Sequence, residues 1–421
     1  MNALNSTFIF SNRQNLLKKL NIRLNKSDIK GMVSDIKEYI LNFPTEKEVL
    51  LSLYGTMLNE IGSTAAARSI AKLLADTSSK TCQVAKNHLN LEPIVNTSWM
   101  LGRIGEMTDQ TASIHHLLQL KKIKKKPILP ILNANSLSNR AFLPYLQDVF
   151  HVLMPGEEAN YYSQYANISS FDTSFIKYSP DVYGHYSDAA PGIHKILSGQ
   201  NLPHFAFKLK ENTKNVALDY LKKCGLNSGD TFVTLHLRES GFIDEERHAW
   251  RNNNIDDHIE AIKYLTTQGI KVVRIGHKNM KQVEPINGFI DLSSLDHPPE
   301  VDIYLSGACL FYYGNPSGPY SLAYQFGKPM LFMNVFPYTH SRPNSLNQIT
   351  PLREVSSSKI LSLKQLYDRD ISNIFSPIPY KRKGIEICKI STVENVNAVK
   401  EMLNKLNYLN QNTPEYTMAG T

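Results

Sequence analysis

Two basic side chains follow a buried strand that is predicted in the segment VTLHLRES. His236 and Arg238 alternate with two leucines, so both basic residues lie on one face of the strand end. A central strand of a parallel sheet is usually apolar on both faces, which makes these residues better suited to an anion than to the core. Arginine offers a planar set of donors for phosphate oxygens, and histidine adds another donor. The alternative is an arginine that pairs with Glu239 or another carboxylate and caps the sheet edge.

A second candidate anion site lies in YYGNPSGPYSLAYQFGKP, where a predicted strand is followed by a tight turn and a helix. Backbone N–H groups at a helix start are unpaired and lie at the positive end of the helix dipole, so they favour an anion. The segment is neither a Walker A loop nor a G-x-G-x-x-G dinucleotide site. By itself it fits an ordinary connection equally well, but beside His236 and Arg238 phosphate binding is favoured. The residues concerned are Pro316, Ser317, Gly318 and Ser321.

Further cationic positions are candidates for the same ligand. Arg274 and Gly276 end the predicted strand KVVRIG, and Arg251 lies on the polar loop DEERHAWRNNN before the next helix. Arg274 either reaches a bound phosphate or lies solvated at the sheet edge. The loop that carries Arg251 either binds a ligand or is a solvated connection. The sequence leaves both alternatives open.

Carboxylates and amides follow the strands of an earlier segment. Glu106 in GRIGEM begins a helix just after a predicted strand. It either accepts a proton from an acceptor hydroxyl or only complements the helix dipole. Asp109 is a weaker alternative on the same helix. Asn133 and Asn135 follow the next strand and either bind sugar hydroxyls or form the turn.

Alternating strands and helices must position these residues. The hydrophobic pattern predicts strands at 94–101, 127–134 and 151–155 with helices between them, which indicates a parallel α/β sheet. Residues 156–210 show no clear pattern, and five further strands interleaved with helices follow between 231 and 335. We predict a helical region at 1–94, with a capping box at Thr45 and Glu48. Two α/β domains at 95–210 and 211–390 and a C-terminal helix and tail at 391–421 complete the predicted organisation.

The composition restricts the class of protein. The 421 residues are 42% hydrophobic and 10% aromatic, which excludes disordered and collagen-like chains. Lys plus Arg exceed Asp plus Glu by 46 − 38 = 8, and this balance favours anionic partners. The four cysteines are too widely spaced for a zinc site or a disulfide framework, so reduced thiols in a cytoplasmic protein are expected.

The sequence also bears on membranes and nucleic acid. The first twenty residues lack the basic segment and apolar run typical of a signal peptide, and no apolar run is long enough to span a bilayer, so we expect a soluble protein. The lysine run at 121–126 is either a solvated helix end or a peripheral contact with an anionic inner membrane. No basic motif interleaved with aromatic residues accompanies it, so nucleic-acid binding is not expected.

Two motifs together resemble glycosyltransferases of the GT-B type, which have two facing Rossmann-like domains. GNPSGPYSLAYQFGKP looks like the donor-phosphate turn and helix of heptosyltransferase-like enzymes, with Ser321 in place of their usual histidine. GRIGEMTDQT is similar to their first loop, in which Glu106 occupies the position of the proposed base. The LHLR run resembles the H-x-R motif with which fucosyltransferases hold a nucleotide diphosphate. Over residues 95–340 the combination looks most like bacterial surface-polysaccharide glycosyltransferases.

The resemblance implies a GT-B-like α/β fold and a metal-independent, inverting transfer of a sugar. The donor would be a nucleotide-sugar co-substrate, with no further cofactor. Glu106 would deprotonate a hydroxyl of a glycan or lipid-linked acceptor, while His236, Arg238 and the donor-phosphate turn stabilise the departing phosphate. No D-x-D carboxylate pair is evident in the candidate segments. Two alternatives remain: another nucleotide-dependent transferase, and a non-catalytic module that binds nucleotide or carbohydrate.

Overall fold

A computed structural model gives the architecture of the chain. The structure describes residues 15–16, 18–19, 22–23, 28, 31, 34–35, 38, 53–55, 57, 62–89, 92–95, 100–166, 170–171, 175–241, 246–343 and 345–412. These residues fall into two compact units. Unit 1 comprises the described residues within Met1–Ala206 and Leu352–Glu386, and unit 2 those within Phe207–Pro351 and Ile387–Thr421.

Unit 1 is built on a parallel sheet with the strand order β3-β2-β1-β4. Strands alternate with helices, as the sequence predicts for an α/β domain. Counted along the chain, the order 3-2-1-4 is Rossmann-like, with its switch point between the first and fourth strands. The elements are α1 (Thr64–Leu89), β1 (Ile94–Val95), α2 (Ile104–Gln119), β2 (Ile128–Pro130), α3 (Leu143–Val149), β3 (His151–Leu153), α4 (Glu157–Ser163) and β4 (Ser170–Phe171).

The remainder of unit 1 comes from two separate parts of the chain. The first contains β5 (Ile176–Lys177), β6 (Tyr183–Gly184) and α5 (Tyr186–Gly199). The second contains β13 (Leu352–Glu354), α10 (Leu363–Asp368), α11 (Pro377–Arg382) and β14 (Ile385–Ile387). Asp370 of the second part accepts hydrogen bonds from the Ser63 hydroxyl at 2.7 Å and the Ala65 N–H at 2.8 Å. These contacts tie the later segment to the start of α1.

Unit 2 is built on a longer parallel sheet with the order β12-β11-β10-β7-β8-β9. Counted from β7, this is the strand order 6-5-4-1-2-3 of a complete Rossmann sheet, with its switch point between β7 and β10. The elements are α6 (Glu211–Lys223), β7 (Phe232–His236), α7 (Ile259–Thr267), β8 (Lys271–Arg274), β9 (Phe289–Asp291), α8 (Glu300–Ala308), β10 (Tyr312–Gly314), α9 (Tyr320–Gln325), β11 (Met330–Val335), β12 (Ser345–Ile349) and α12 (Thr392–Asn412).

The core of unit 2 explains why the C-terminal helix belongs to it. Leu235 of β7 and Val272 of β8 are fully buried in one cluster with Ile262 of α7. Val399 and Met402 of α12 lie in the same cluster, 0% and 1% exposed. Burial of each such side chain stabilises the fold by about 1.5–3 kcal/mol. The predicted amphipathic helix is thus confirmed, and its apolar face covers the sheet.

Several sequence predictions differ from the structure. The segment 156–210 contains helices and short strands where no pattern was expected, and β12 was not predicted. The unit boundaries also differ from the predicted domains, because 352–386 joins unit 1 and the C-terminal helix joins unit 2. The capping box at Thr45 and Glu48 lies outside the described residues. Within the described ranges, no helix has both the length and the apolar character needed to cross a bilayer.

Candidate functional site

The two sequence motifs of unit 2 end on neighbouring strands. β7 and β10 pair in parallel, with His236 opposite Gly314 at their carboxyl ends. This pair of strands forms the switch point of the sheet, the place where α/β proteins of this strand order bind ligands. The structure therefore brings together the HLR segment and the NPSG turn, which are separated by more than seventy residues in sequence.

Glycine is required at position 314 because two backbones approach closely there. A Cβ atom at Gly314 would lie 2.4 Å from the backbone oxygen of His236 and 2.7 Å from the ring of Tyr312. Neither the strand backbone nor the packed ring can move away cheaply. The absence of a side chain keeps the end of β10 against the end of β7, and this closeness sets the position of the turn that follows.

Asn315 links three parts of this sheet edge, although sequence reasoning missed it. Its Oδ1 accepts the backbone N–H of Arg238 at 2.8 Å, and its Nδ2 donates to the backbone oxygen of Arg251 at 2.5 Å. Asn315 is itself completely buried. The asparagine thus fastens the loop over 246–254 to the ends of β7 and β10.

The same loop is fastened at two further points. The backbone N–H of Asn253 donates to the backbone oxygen of Arg238 at 2.8 Å. The Nδ2 of Asn334, at the end of β11, donates to the Oδ1 of Asn253 at 2.6 Å. Asn334 has φ +49°, a left-handed conformation that asparagine tolerates better than most residues. Hydrogen bonds therefore hold this loop against the ends of β7 and β11, so it is not a free solvated connection.

Arg238 is buried and contacts this loop. Its Nη1 donates to the backbone oxygen of His248 at 3.3 Å and to the Oδ1 of Asn252. Arg251 is half-buried at the end of the same loop segment, and its backbone oxygen accepts from Asn253 and Asn315. Both arginines thus lie at the switch point. For Arg238 the hydrogen bonds indicate that the guanidinium also positions the loop.

The turn after β10 leads into a short helix, as predicted. Pro316 is buried, while Ser317 and Gly318 are half-buried. Ser321 is 1% exposed, and its backbone N–H donates to the Gly318 oxygen at 3.2 Å. Ser317 and Gly318 are therefore more accessible to a ligand than Ser321.

Arg274 takes neither of the two roles that the sequence leaves open, the contact with a bound phosphate or the solvated position at the sheet edge. Its side chain is 0% exposed and pairs with Glu239 at 2.7 Å and Asp291 at 2.8 Å. Its Nη1 also donates to the backbone oxygen of Lys281 at 2.7 Å. The arginine neither lies in solvent nor points at an open site, because its charge is used between the ends of β7, β8 and β9. Gly276, two residues further on, is exposed.

His236 is neutral at pH 7. Burial, assisted by the positive charges of His277 and Arg274, lowers the pKa of His236 to about 3. The described residues provide no hydrogen-bond partner for its Nδ1 atom. A phosphate beside the ring would favour the protonated form, since an opposite charge stabilises it.

Unit 1 contains a carboxylate–histidine pair after its first strand. Glu106, in the first turn of α2, lies 3.2 Å from the Nε2 of His185, and its side chain is 25% exposed. The Nε2 of Gln110, one turn along, donates to Glu106 at 3.4 Å. Asp109 lies on the same helix, is 4% exposed and is close enough to His185 to influence its charge. The two predicted carboxylates therefore surround a histidine that sequence reasoning missed, and Glu106 is the accessible one.

The pair is ionic at neutral pH. Burial raises the pKa of Glu106, but the charge and hydrogen bond of His185 and the hydrogen bond of Gln110 lower it by more, so it lies below its ordinary value. Burial alone would lower the pKa of His185, but Glu106, Asp109 and Asp188 together raise it to about 9. Glu106 is thus deprotonated and able to accept a proton.

The raised pKa of His185 predicts a pH-dependent stability. The contribution of the pair is complete below about pH 6.5, the ordinary pKa of histidine, and is lost as the pH rises through about 9. We expect the difference in unfolding free energy between wild type and His185→Gln to fall by at most about 3 kcal/mol over this range. Urea denaturation of both proteins across the range measures it. A difference that does not change with pH would contradict the charged pair.

Asn133 and Asn135, which follow β2, help to form the turn, and this is one of the two roles that the sequence leaves open for them. The Oδ1 of Asn133 accepts the backbone N–H of Asn135 at 2.9 Å, and Asn135 accepts from Arg140. Both asparagines are exposed. Their loop contacts the loop before α2, since the Ser138 N–H donates to the Leu101 oxygen at 2.8 Å. They therefore belong to the same edge of unit 1 as Glu106.

Within the part of the chain that the structure describes, no group of three or more His, Cys, Asp or Glu side chains is arranged to hold a metal ion.

Comparisons with known proteins give distant structural likenesses. No family model matches the chain, and no curated protein matches it significantly in sequence. A glycosyltransferase of family 9 from Veillonella parvula is similar in structure, with a TM-score of 0.33 and 13% identity over 70% of this chain and 79% of that one. ADP-heptose LPS heptosyltransferase II of E. coli gives a TM-score of 0.34 and 13% identity over 80% of this chain and 96% of that one.

A third similar structure is the dodecameric, iron-containing heptosyltransferase TibC in complex with ADP-D-beta-D-heptose. Its TM-score is 0.41, with 12% identity over 72% of this chain and 75% of that one.

Proposed function

We propose that this protein is a glycosyltransferase that uses a nucleotide-sugar donor. Unit 2 binds the donor, with its diphosphate at the switch point between β7 and β10. Unit 1 supplies Glu106 as the base for the acceptor hydroxyl.

One observation carries the proposal. The two segments whose residue types suit a phosphate follow the paired strand ends at His236 and Gly314. Ligands of α/β sheets with this strand order bind outside the carboxyl ends at that point. The sequence motifs and the topology are independent of each other, so their agreement supports a phosphate-containing ligand more strongly than either does.

The proposed reaction is an inverting displacement. A hydroxyl oxygen of the acceptor forms a bond with the anomeric carbon of the sugar, while the bond from that carbon to the diphosphate oxygen breaks. The hydroxyl proton passes to the Glu106 carboxylate, and the nucleoside diphosphate leaves with the bonding electron pair. His236, Arg238, Ser317 and the N–H of Gly318 donate to the departing phosphate, and no metal ion is needed. A glycan or lipid-linked acceptor of bacterial surface-polysaccharide synthesis is the acceptor class that the sequence resemblance favours.

A ligand screen tests the donor. A nucleotide-sugar or nucleoside diphosphate at about 100 times its Kd should stabilise the protein by about 2.7 kcal/mol, visible as a raised Tm. Release of nucleoside diphosphate from the same nucleotide-sugar then distinguishes a transferase from a non-catalytic binding module. No stabilisation by any common nucleotide would refute the proposal, and binding without turnover in the presence of acceptor glycans would favour the module.

Substitution of Arg238 tests the location of the donor site. Arg238→Ala should weaken nucleoside diphosphate binding by about 1.5–3 kcal/mol, the magnitude of a charged hydrogen bond. The substitution removes a cation and leaves the backbone oxygen of His248 and the side chain of Asn252 without this donor. Isothermal titration calorimetry measures the affinity.

The matched control for that prediction is Lys278→Ala. Lys278 is an exposed cation beyond the end of β8, so its loss changes the net charge equally. We expect it to change the affinity by less than about 0.5 kcal/mol. Equal effects of the two substitutions, or unchanged binding by Arg238→Ala, would place the donor elsewhere.

A further inference from the structure

An exposed surface of unit 1 combines apolar and basic side chains, and it lies outside the candidate site. Four large apolar residues of the segment 355–367 are between 48% and 63% exposed. They are Val355, Ile360, Leu363 and Tyr367. Three exposed lysines accompany them, Lys359, Lys381 and Lys383. We call these seven residues the apolar–basic surface.

Hydrogen bonds hold the parts of this surface together. Arg353 and Ile360 face each other across an antiparallel bridge, and the Leu361 N–H donates to the Leu352 oxygen at 2.8 Å. Residues 352–361 therefore form a hairpin. The Val355 N–H donates to the Gly384 oxygen at 2.9 Å, which brings this hairpin beside the basic run 381–383.

Helix α10 lies beside the same hairpin. Leu363 and Tyr367 are four residues apart, so they share one face of the helix. Arg369, at the end of α10, pairs with Glu354 at 3.0 Å. Leu366 is 5% exposed and anchors the helix, while Leu363 and Tyr367 remain exposed. The hairpin and α10 thus lie side by side. The carboxylates Glu354, Asp368 and Glu386 pair with Arg369, Lys364 and Arg353, so the three lysines give this surface a net positive charge.

We propose that the apolar–basic surface binds an anionic lipid bilayer. Apolar side chains of this kind enter the headgroup region, and tyrosine is favoured at that depth. Lysine stems extend across apolar surface and place their charges at the lipid phosphates. The charge of the surface is complementary to an anionic bilayer. A second copy of the chain is disfavoured, because a two-fold axis would bring the same lysines face to face.

The structure favours this surface over the lysine run predicted from sequence. In that run, Lys125 pairs with Glu92 at 2.8 Å and the ammonium of Lys126 donates to the Gln147 oxygen at 2.9 Å. Its one apolar member, Ile123, is only half-exposed. The run therefore presents charge without apolar side chains that could enter a bilayer.

Vesicle binding by the full chain tests the proposal. We expect sedimentation with vesicles of phosphatidylcholine plus phosphatidylglycerol, weakening with added salt, and little with phosphatidylcholine alone. Lys381→Gln with Lys383→Gln should lower the partition coefficient about 25-fold, because each basic residue contributes roughly fivefold. Leu363→Ser with Tyr367→Ser should lower it by about tenfold or more.

Matched variants and separate measurements make each outcome decisive. Val393→Ser removes an equally exposed apolar residue of α12, and Lys121→Gln with Lys122→Gln removes two exposed lysines of the run. Both should bind vesicles like wild type. Unchanged binding by the surface variants, or loss of binding by the lysine-run variant, would overturn the proposal. Concentration-dependent dimers in light scattering that the surface variants abolish would assign the surface to a second copy instead. Nucleotide binding should be unchanged in every variant, so this proposal and the proposed function fail independently.

Discussion

Glu106→Gln should lower kcat by about 10²–10⁴-fold, the contribution of a positioned general base. The amide keeps the size of the side chain and can still accept a hydrogen bond from His185, so the fold is preserved. It cannot take up the acceptor proton. Because Glu106 belongs to unit 1 and the proposed donor site to unit 2, nucleoside diphosphate affinity should remain within about twofold. Steady-state kinetics and calorimetry on one preparation measure both quantities.

Glu157→Gln is the matched control for Glu106. Glu157 also lies in the first turn of a helix that follows a strand of the same sheet, but it is exposed. If the helix dipole were the whole role of Glu106, the two substitutions would have equally small effects. Wild-type turnover by Glu106→Gln would therefore exclude the base. A parallel loss of kcat and of nucleotide affinity would indicate a structural role.

His185→Gln separates the base from the residue that positions it. The substitution keeps the Glu106 carboxylate and removes the cation that lowers its pKa. Burial is then opposed only by the hydrogen bond of Gln110 and the charge of Arg103, so that pKa rises. The kcat of His185→Gln should therefore decline at low pH from a higher midpoint than in wild type, whereas the kcat of Glu106→Gln should stay about 10²–10⁴-fold below wild type at every pH. An unchanged pH profile would show that His185 does not act through Glu106.

The fold was largely predictable because both sheets depend on local patterns. Buried strands such as β7 and β11 are short apolar runs between turn signals, and the helices between them show clear amphipathic periods. The elements between 156 and 210 were missed because their strands are two residues long, and α5 contains Pro191. No period can be read from two residues. The placement of 352–386 depends on hydrogen bonds between residues about 300 positions apart, which a single sequence does not reveal.

Site residues were predictable from sequence where their type is unusual for a buried strand. They were not predictable where their role depends on a contact with a residue far away in sequence. His236 and Arg238 were found because basic residues are out of place in a buried strand. Asn315 and His185 were missed because an asparagine in a turn and a lone histidine are ordinary in sequence. Their roles come from contacts 77 and 79 residues away in sequence.

The sequence marks Arg274 as a charged residue at a strand end, but it does not reveal which residues pair with it. A buried charged residue at a strand end is usually balanced by a group of opposite charge. For Arg274 these groups are the carboxylates of Glu239 and Asp291 in the same unit. The sequence contains both carboxylates, but their distance from Arg274 follows only from the pairing of β7, β8 and β9.

Arg274→Met should lower the free energy of unfolding by about 3–5 kcal/mol, the cost of removing one partner from a buried ion pair. The methionine fills much of the same volume. However, it leaves the carboxylates of Glu239 and Asp291 enclosed, 9% and 17% exposed, without their cation. Urea denaturation measures the loss. Adding Glu239→Gln and Asp291→Asn should recover part of it, because the amides carry no charge.

Lys271→Met is the control on the same strand. Lys271 pairs with Asp230 at 2.7 Å, but both side chains are about a quarter exposed, and we expect a loss of less than about 1 kcal/mol. The comparison also decides the role of Arg274 in ligand binding. A direct phosphate contact would lower nucleotide affinity while leaving stability nearly unchanged. If Arg274 acts only in the buried network, Arg274→Met lowers stability, and nucleotide affinity falls as a consequence. Adding Glu239→Gln and Asp291→Asn should then restore stability and nucleotide affinity together. Affinity that stays low after stability is regained would return Arg274 to the ligand.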